Sequence, residues 1–213
     1  MNSENGLVFL IDDDPSVRRG VSRLLRSAGF KNEAFNSASD FLMRDQHPGP
    51  ACVIVDVRMP GINGMDLQTL LIQRRREEQL VFITGHGNIS MCAQAMKAGA
   101  VDFLTKPFRA NELLECVDRA LARAAEQRRR GVEKTEARRL LDLLTPREFE
   151  VMQLVITGLL NKQIAAELGT AEKTIKVHRG RVMKKLGIAS VAELVRLVET
   201  AQIRSVKWRE TKV

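Results

Sequence analysis

The stretch Ala51-Cys-Val-Ile-Val-Asp56-Val-Arg-Met-Pro60 decides the fold of the first half of the chain. Its first five residues are small or apolar and end in Val-Ile-Val, which is typical of a strand buried on both faces of a parallel sheet. A charge directly after such a strand is costly unless the strand ends there and the carboxylate has partners. Because ligands of open α/β sheets bind at the carboxyl ends of strands, Asp56 is a candidate functional residue. The alternative is an aspartate that only caps a helix.

Four further segments predict strands, and each is followed by apolar residues at helical spacing. They are residues 7–11, 31–35, 80–83 and 101–104. The second of them is the most polar, as expected of an edge strand. Because five strands alternate with five helices, the sequence predicts an α/β fold with one parallel sheet covered by helices on both faces.

Polar side chains follow four of the five strands at the point where each strand ends. They are Asp12 and Asp13, Asp56, Thr84, and Lys106. Because the carboxyl ends of parallel strands meet at one edge of a sheet, we expect these groups to lie together. Carboxylates at short range repel one another, which indicates a divalent cation, and all-oxygen ligands favour Mg²⁺ or Mn²⁺ over Zn²⁺. Taken singly, each residue has an ordinary explanation as a helix cap, a strand end or a surface lysine.

The charge of the chain is concentrated in its second part. The net charge is +8 over 213 residues, but residues 1–120 carry −1 and residues 121–213 carry +9. A near-neutral half followed by a basic half indicates a control domain joined to a domain that binds a polyanion. A generally basic surface would not explain the asymmetry.

The cellular setting is predicted from the cysteines and from the apolar runs. Cys52, Cys92 and Cys116 offer neither a CxxC pair nor an obvious disulfide framework, which predicts reduced cysteines in a cytoplasmic protein. The sequence has no signal-peptide pattern and no apolar run near the roughly 20 residues that span a bilayer, so we expect no membrane partner.

Four motifs within residues 5–125 resemble the receiver domains of two-component response regulators. They are Ile11-Asp-Asp13, Val55-Asp-Val-Arg-Met-Pro60, Ile83-Thr-Gly85 and Thr105-Lys-Pro-Phe108. The resemblance implies a flavodoxin-like fold in which Asp56 is the phosphoacceptor. It also implies that Mg²⁺ is held by Asp12, Asp13, Asp56 and the backbone carbonyl of Arg58.

The same resemblance assigns roles to residues on the fourth and fifth strands. Thr84 and Lys106 would bind the phosphoryl oxygens, Phe103 would occupy the switch position, and the Lys106–Pro107 bond would be cis. An enzyme alternative is a haloacid-dehalogenase-type phosphatase, which also uses a strand-end aspartate as nucleophile. That family has a second acidic residue two positions later, where this chain has Arg58. We therefore expect that the protein is not an enzyme, beyond promoting its own Mg²⁺-dependent phosphorylation and dephosphorylation.

The basic half predicts two short helices, a glycine turn and a basic third helix. Residues 145–148, Thr-Pro-Arg-Glu, form a capping box with proline at the first helical position, and Asn161 is expected to cap the second helix. The third helix is predicted from about residue 172 to 186, with Ile175, His178, Val182 and Leu186 on its apolar face. This order is typical of a helix-turn-helix. We interpret His178 as a buried structural residue, with a switch as the alternative.

Residues 145–200 also resemble the LuxR-type DNA-binding domain of NarL/FixJ response regulators. The matching segments are Leu144-Thr-Pro-Arg-Glu148, Asn161-Lys-Gln-Ile-Ala-Ala-Glu-Leu-Gly169 and Lys173-Thr-Ile-Lys-Val-His-Arg179. The resemblance implies that Lys176 and Val177 face bases, while Lys173, Thr174 and Arg179 lie near phosphates. Lys184, on the same basic face, is a further predicted phosphate contact.

Two residues depart from the LuxR-type pattern. Ala171 stands where the family usually has a serine that caps the recognition helix, so Thr170 is a candidate cap instead. Gly180 lies within the predicted helix, where it costs about 1 kcal/mol relative to alanine. It either allows close approach to the groove or only removes a contact, and both departures bear on base preference.

The predicted domains are a receiver over residues 1–121, a helical linker over 122–143, and a DNA-binding domain with a basic tail over 144–213. A flexible tether is the alternative for the linker. A capping box at Ser190 opens a last helix, which either contacts a second copy or packs on its own bundle. Trp208, in the tail, does not make a site alone.

The two resemblances together therefore imply a bacterial transcription factor controlled by phosphorylation. A histidine kinase would phosphorylate Asp56, and the protein would then form a homodimer and bind double-stranded promoter DNA. The alternative is a constitutive DNA-binding protein whose receiver-like domain serves only as a dimerisation scaffold. A degenerate receiver would be expected to lack one or more of the acidic pair, Asp56, Thr84 and Lys106, and all are present.

Overall fold

The computed structural model describes residues 6–85 and 89–203. The predicted basic tail, residues 205–213 with Trp208, lies outside the described residues. The chain divides into two compact units, Met1–Arg129 and Arg130–Val213. In the part of the chain that the structure describes, no helix is both long enough and apolar enough to cross a membrane.

The first unit contains the five-stranded sheet that the sequence predicts. Its strands are β1 (Leu7–Ile11), β2 (Lys31–Phe35), β3 (Ala51–Asp56), β4 (Gln79–Thr84) and β5 (Asp102–Thr105). All four strand pairs are parallel, and the order is β2-β1-β3-β4-β5. The polar strand β2 lies at an edge, and every residue of β3 and β4 is buried. Burial on both faces of the sheet explains why β3 and β4 are so apolar.

Helices cover both faces of the sheet. They are α1 (Pro15–Ser27), α2 (Ala38–Met43), α3 (Gly64–Gln73), α4 (Ile89–Lys97) and α5 (Ala110–Leu141). Alternate residues of β3 point to opposite faces: Val53 packs in the core beneath α2, α3 and α4, and Ile54 in the core beneath α1 and α5. The predicted α/β fold is confirmed.

The linker and the cysteines bear on the other expectations. Most of the predicted linker, residues 122–141, lies in α5, and the division between the two units falls within this helix.

The cysteines are unpaired, and Cys52 and Cys116 are buried. Burial raises the pKa of both thiols, that of Cys116 to about 12. Cys52 is a small apolar core residue, whereas the Cys116 thiol also donates to Asp102 Oδ2 at 3.1 Å.

In the second unit, the described residues up to 203 form four helices beyond the end of α5. They are α6 (Pro146–Val155), α7 (Asn161–Glu167), α8 (Glu172–Leu186) and α9 (Val191–Ala201). Their shared core includes Val151, Ile164, Ile175, Val182 and Leu194. An apolar stripe on each helix forms this core, which is why the periodicity of the sequence locates the helices.

Two predicted helix caps in this unit are wrong. The N-cap of α7 is Leu160 rather than Asn161, and the N-cap of α8 is Ala171 rather than Thr170. Neither residue has a side-chain acceptor. At α7, the side chain of Gln163 reaches back and accepts a hydrogen bond from the Leu160 amide at 2.8 Å. Helix α8 begins without any side-chain cap and is instead held by its buried face.

The predicted capping box at α6 is confirmed, and it carries an additional ion pair. Glu148 accepts the Thr145 amide, and Lys185 Nζ lies 2.6 Å from the Glu148 carboxylate. The Glu148 side chain is only 4% exposed. The hydrogen bond from Lys185, followed by that from the Thr145 amide, lowers the pKa of Glu148 to about 2.

We expect Glu148→Gln to lower the melting temperature of the second unit at neutral pH. Because the folded-state pKa lies below the unfolded value of about 4.5, the charged form stabilises the fold above that value. This stabilisation is lost as the pH falls towards about 2. Thermal unfolding of wild type and variant should therefore converge in acid. Glu150→Gln, which removes an exposed ion pair with Arg147, should show little change at either pH; equal behaviour of the two variants would contradict the prediction.

Candidate functional site

The carboxyl ends of β1 and β3 bring three carboxylates together. One carboxylate oxygen from each of Asp12, Asp13 and Asp56 lies within 4.8 Å of the others. Asp12 is fully buried and Asp56 is 8% exposed, whereas Asp13 is exposed. One side of the cluster is therefore buried and the other is open to solvent. Its ligand atoms are all oxygen, as Mg²⁺ and Mn²⁺ prefer.

A single ammonium group joins two of these carboxylates. Lys106 Nζ donates to Asp12 Oδ2 at 2.7 Å and to Asp56 Oδ2 at 2.6 Å. Burial alone would lower the pKa of Lys106, but its hydrogen bonds to the two carboxylates outweigh burial and raise the pKa. Burial raises the pKa of Asp12, against the opposing effect of Lys106. The structure thus pairs Lys106 with the buried side of the cluster.

Backbone amides and one arginine hold in place the loops that follow β1 and β3. The Asp14 amide donates to Asp12 at 2.9 Å, and the Arg58 amide donates to Asp56 at 3.0 Å. From α1, Arg18 Nη1 donates to the carbonyls of Asp12 at 2.6 Å and Asp13 at 2.9 Å. These bonds fix the direction of the Asp12 and Asp56 carboxylates and the course of the backbone beside them.

The remaining predicted residues lie at the same sheet edge or next to it. Thr84 is buried at the end of β4, and its carbonyl accepts the Lys106 amide at 2.7 Å. The Lys106–Pro107 bond is cis, as expected. Phe103, on β5, is half-buried with its ring centroid 6.1 Å from that of Phe82. The structure therefore brings the side chains of Asp12, Asp13, Asp56 and Lys106 together, and it places Thr84 at the same sheet edge through its backbone.

In the second unit, α8 presents one buried and one exposed face. Ile175, Val182 and Leu186 are buried. The exposed side chains include Lys173, Thr174, Lys176, Val177 and Lys184. Val177 is apolar and yet 46% exposed, which leaves a small apolar spot between lysines.

Two residues of α8 lie between these faces. Arg179 is half-buried, and its Nη1 donates to Asn161 Oδ1 on α7 at 3.2 Å. Part of its guanidinium is therefore already hydrogen-bonded within the unit. His178 is half-buried, and its Nδ1 is buried without a hydrogen-bond partner. This position agrees with the interpretation of His178 as a mainly structural residue.

Comparisons with known proteins agree with both halves of this description. Residues 8–118 match the model of the response regulator receiver domain, and residues 142–198 match that of the bacterial regulatory proteins of the luxR family. Nodulation protein W of Bradyrhizobium diazoefficiens is 46% identical over 213 residues, which cover 99% of this chain and 93% of that protein. The chain belongs to the NarL/FixJ family of response regulators.

Two solved structures of response regulators extend the comparison to both units. The low-resolution structure of StyR is 48% identical with a TM-score of 0.79, over 91% of this chain and 98% of that one. Full-length FixJ from B. japonicum is 36% identical with a TM-score of 0.56, over 93% and 98%. The family, the receiver fold and the helical DNA-binding domain predicted from the sequence are thereby confirmed. The protein is a two-component transcription regulator, and its two domains imply a kinase partner and a DNA partner.

Sequence reasoning missed two residues of this response regulator that support the acidic cluster. Arg18 could have been found, because an arginine one turn into a helix that starts at the cluster can reach back to the preceding loop. The other is Gly64, the first residue of α3. A Cβ at Gly64 would lie 2.6 Å from the Asp56 carbonyl oxygen and 3.1 Å from Val57 Cα. Only its place after Asn63, a typical N-cap, hints at this contact.

We expect Gly64→Ala to destabilise the receiver by about 1–3 kcal/mol, because the added methyl group overlaps the backbone next to Asp56. Urea unfolding followed by circular dichroism measures the change. Gly20→Ala, inside α1, is the matched control in the same unit: a Cβ there meets nothing within 4 Å, so this variant should be at least as stable as wild type. If the Gly64→Ala protein is as stable as wild type, the prediction is wrong, and the loop after β3 shifts at little cost to accommodate the methyl group.

Proposed function

We propose that Asp56 accepts a phosphoryl group from a partner histidine kinase and that this controls DNA binding by the second domain. The observation that carries the proposal is the Asp56 carboxylate at the end of β3, with Lys106 Nζ at 2.6 Å and the Asp12 and Asp13 carboxylates beside it. A structural ion pair does not require a third carboxylate beside the two that Lys106 already joins. Phosphoryl transfer, by contrast, needs groups that position the nucleophile and offset charge.

The chemistry follows from the residues present. An oxygen of Asp56 attacks phosphorus in line, the new O–P bond forms as the P–N bond to the kinase histidine breaks, and the imidazole leaves with the electron pair. Lys106 offsets negative charge on the transferred group, and the Thr84 hydroxyl donates to one of its oxygens. Because Arg58 stands where a phosphatase of the haloacid dehalogenase type would have its second acid, the phosphoryl group is expected to stay on Asp56 rather than turn over rapidly.

The acidic cluster fits a divalent cation. Asp12, Asp13 and Asp56 offer a hard, all-oxygen ligand set within 4.8 Å, and the backbone carbonyl of Arg58 is the further proposed ligand. When bound, Mg²⁺ or Mn²⁺ would supply positive charge near the oxygens of the transferred group. The residues of the chain do the rest: Asp56 is the nucleophile, and the backbone amide of Arg58 orients its carboxylate.

Mass spectrometry tests the proposal. The intact protein is incubated with a small phosphodonor such as acetyl phosphate, with Mg²⁺ or with a chelator, and is then digested. We expect a mass gain of one phosphoryl group in the presence of Mg²⁺, located in the peptide that contains Asp56. A gain in any other peptide, or no gain, would contradict the assignment.

We expect Asp13→Asn to weaken Mg²⁺ binding by at least roughly tenfold, the lower end of the loss seen when groups that merely support a metal ligand are removed. The reason is that Asp13 is the exposed carboxylate of the cluster and its charge is lost. Calorimetric titration with Mg²⁺ measures the affinity. Asp45→Asn, a change at an exposed aspartate before β3, is the control and should bind as wild type does; an unchanged Asp13→Asn titration would exclude this site.

The second half of the proposal concerns assembly. The surface formed by α4, β5 and α5 is the proposed contact between two receivers, and it is supported by exposed apolar residues two turns apart on α4, Ile89 and Met96. Phe103 lies on β5 at the edge of the core, where an inward turn would reshape this surface. Pairing two receivers would place two DNA-binding domains at high effective concentration for adjacent half-sites.

The proposed DNA contacts lie on α8. Lys176 and Val177 would meet base edges in the major groove, since lysine can donate to guanine and valine can contact a thymine methyl group. Lys173, Thr174, Arg179 and Lys184 would lie near phosphates. Exposure supports all of these except Arg179, whose bond to Asn161 leaves only part of the guanidinium available.

A further inference from the structure

Gly180 lies in the interior of α8, where glycine is unfavourable for a helix. Two common reasons for a glycine are excluded by the structure. Its backbone is not among the described positive-φ positions, so no left-handed conformation requires glycine. A Cβ at this position would meet nothing within 4 Å, so no neighbouring element requires a bare backbone.

Open space alone does not single out Gly180, because Gly20 in α1 and Gly131 in α5 share it. Position does. Counting 3.6 residues per turn, Lys173, Val177, Gly180 and Lys184 follow one another along one side of α8 at spacings of four, three and four. Ile175, Val182 and Leu186 are buried on the opposite side. Gly180 therefore lies near the centre of the exposed basic face.

The missing side chain at Gly180 bears on Val177, which lies one turn before it on the same side of α8. Val177 is short, so it can touch a base only if the α8 backbone comes close to the floor of the groove. The neighbouring lysines are long and flexible and tolerate a greater distance. On a face that alternates long cations with one short apolar residue, a Cβ at position 180 would be among the first atoms to meet the DNA.

We propose that Gly180 is a specificity-determining residue: by lacking a side chain it lets α8 seat deeply enough in the major groove for Val177 to reach a base edge. This inference rests on the proposed function of α8 as the recognition helix. It predicts an unusual pair of effects, since adding one methyl group at position 180 improves the helix and at the same time impairs base recognition.

The test uses the full chain and two duplexes: one enriched from a random-sequence library by the wild-type protein, and a scrambled version of it. We expect Gly180→Ala to raise the melting temperature of the second unit by roughly 4–8 °C, as a helix-interior replacement of glycine should in a domain of this size. We expect it to bind the enriched duplex roughly tenfold more weakly, the scale of losing one base contact, with the scrambled duplex unchanged. Gly20→Ala, at an equally open helical glycine outside the DNA-binding domain, should bind both duplexes as wild type does.

Each other outcome overturns the inference. Unchanged or tighter binding of the enriched duplex by Gly180→Ala would mean that glycine only omits a contact. Equal weakening on both duplexes would indicate a general disturbance of the basic face, and a lower melting temperature would contradict the open space around Gly180. If wild type itself fails to distinguish the duplexes, the proposed function of α8 fails as well, which separates the two hypotheses.

Discussion

Asp56→Asn should not take up a phosphoryl group and should lose every response to phosphodonor. The amide nitrogen and oxygen of asparagine keep the shape of the side chain but remove the anionic nucleophile. The neighbouring groups would remain, because the Arg58 amide can still donate to the amide oxygen and Lys106 keeps Asp12 as a partner at 2.7 Å. The variant is therefore expected to fold, so that a lost response reports on chemistry.

The measurement compares wild type, Asp56→Asn and the control Asp45→Asn, each with and without phosphodonor and Mg²⁺. Sedimentation follows assembly, and titration with duplex DNA follows affinity. Wild type and the control should dimerise and bind DNA more tightly with phosphodonor, whereas Asp56→Asn should do neither.

Phosphorylation at Asp56 can control DNA binding by the other unit only through a two-state element in the receiver. Phosphorylation replaces the single negative charge of the Asp56 carboxylate with a phosphoryl group of roughly −1.5 to −2, and it brings three strong acceptor oxygens into a pocket where Asp12 and Asp13 are already acidic. The new charge would compete for Lys106 and attract the Thr84 hydroxyl, and Phe103 on the adjacent strand would respond to that movement. Equal responses of wild type and Asp56→Asn would mean that the receiver controls this regulator by another route or serves only as a scaffold.

The fold and the core of the site were predictable because both depend on local sequence. A buried parallel strand must be apolar on both sides, and this requirement makes β3 and β4 visible as runs that end in Asp56 and Thr84. Topology then places the strand ends at one edge, so the acidic cluster follows without any knowledge of contacts.

Features that depend on contacts distant in sequence could not be predicted in this way. The clash that a Cβ at Gly64 would make with the Asp56 carbonyl, and the bond from Lys185 to Glu148 across 37 positions, leave no periodic signal. The caps failed for a different reason: Asn161 and Thr170 have favourable side chains, but the caps are Leu160 and Ala171. The Asn161 Oδ1 instead accepts a hydrogen bond from Arg179 on α8, a contact 18 positions away in sequence.

Lys176→Ala and Lys184→Ala should separate base recognition from charge attraction. Both residues are exposed lysines on α8, eight positions apart, so each substitution removes one charge from the same helix. A lysine that donates to guanine contributes about 1–3 kcal/mol of discrimination, and Lys176→Ala should lose that amount against an altered base pair. A lysine near a phosphate contributes through counterion release, which does not depend on sequence.

Titrations of enriched and scrambled duplexes at several salt concentrations distinguish the two roles. Lys176→Ala should weaken binding mainly to the enriched duplex. Lys184→Ala should weaken binding to both alike and reduce the slope of log affinity against log salt by about one. Lys31→Ala, an exposed lysine on β2 in the receiver, should change neither quantity. If Lys176→Ala leaves discrimination intact, Lys176 does not face bases, and the exposed side of α8 contacts DNA through its charge alone.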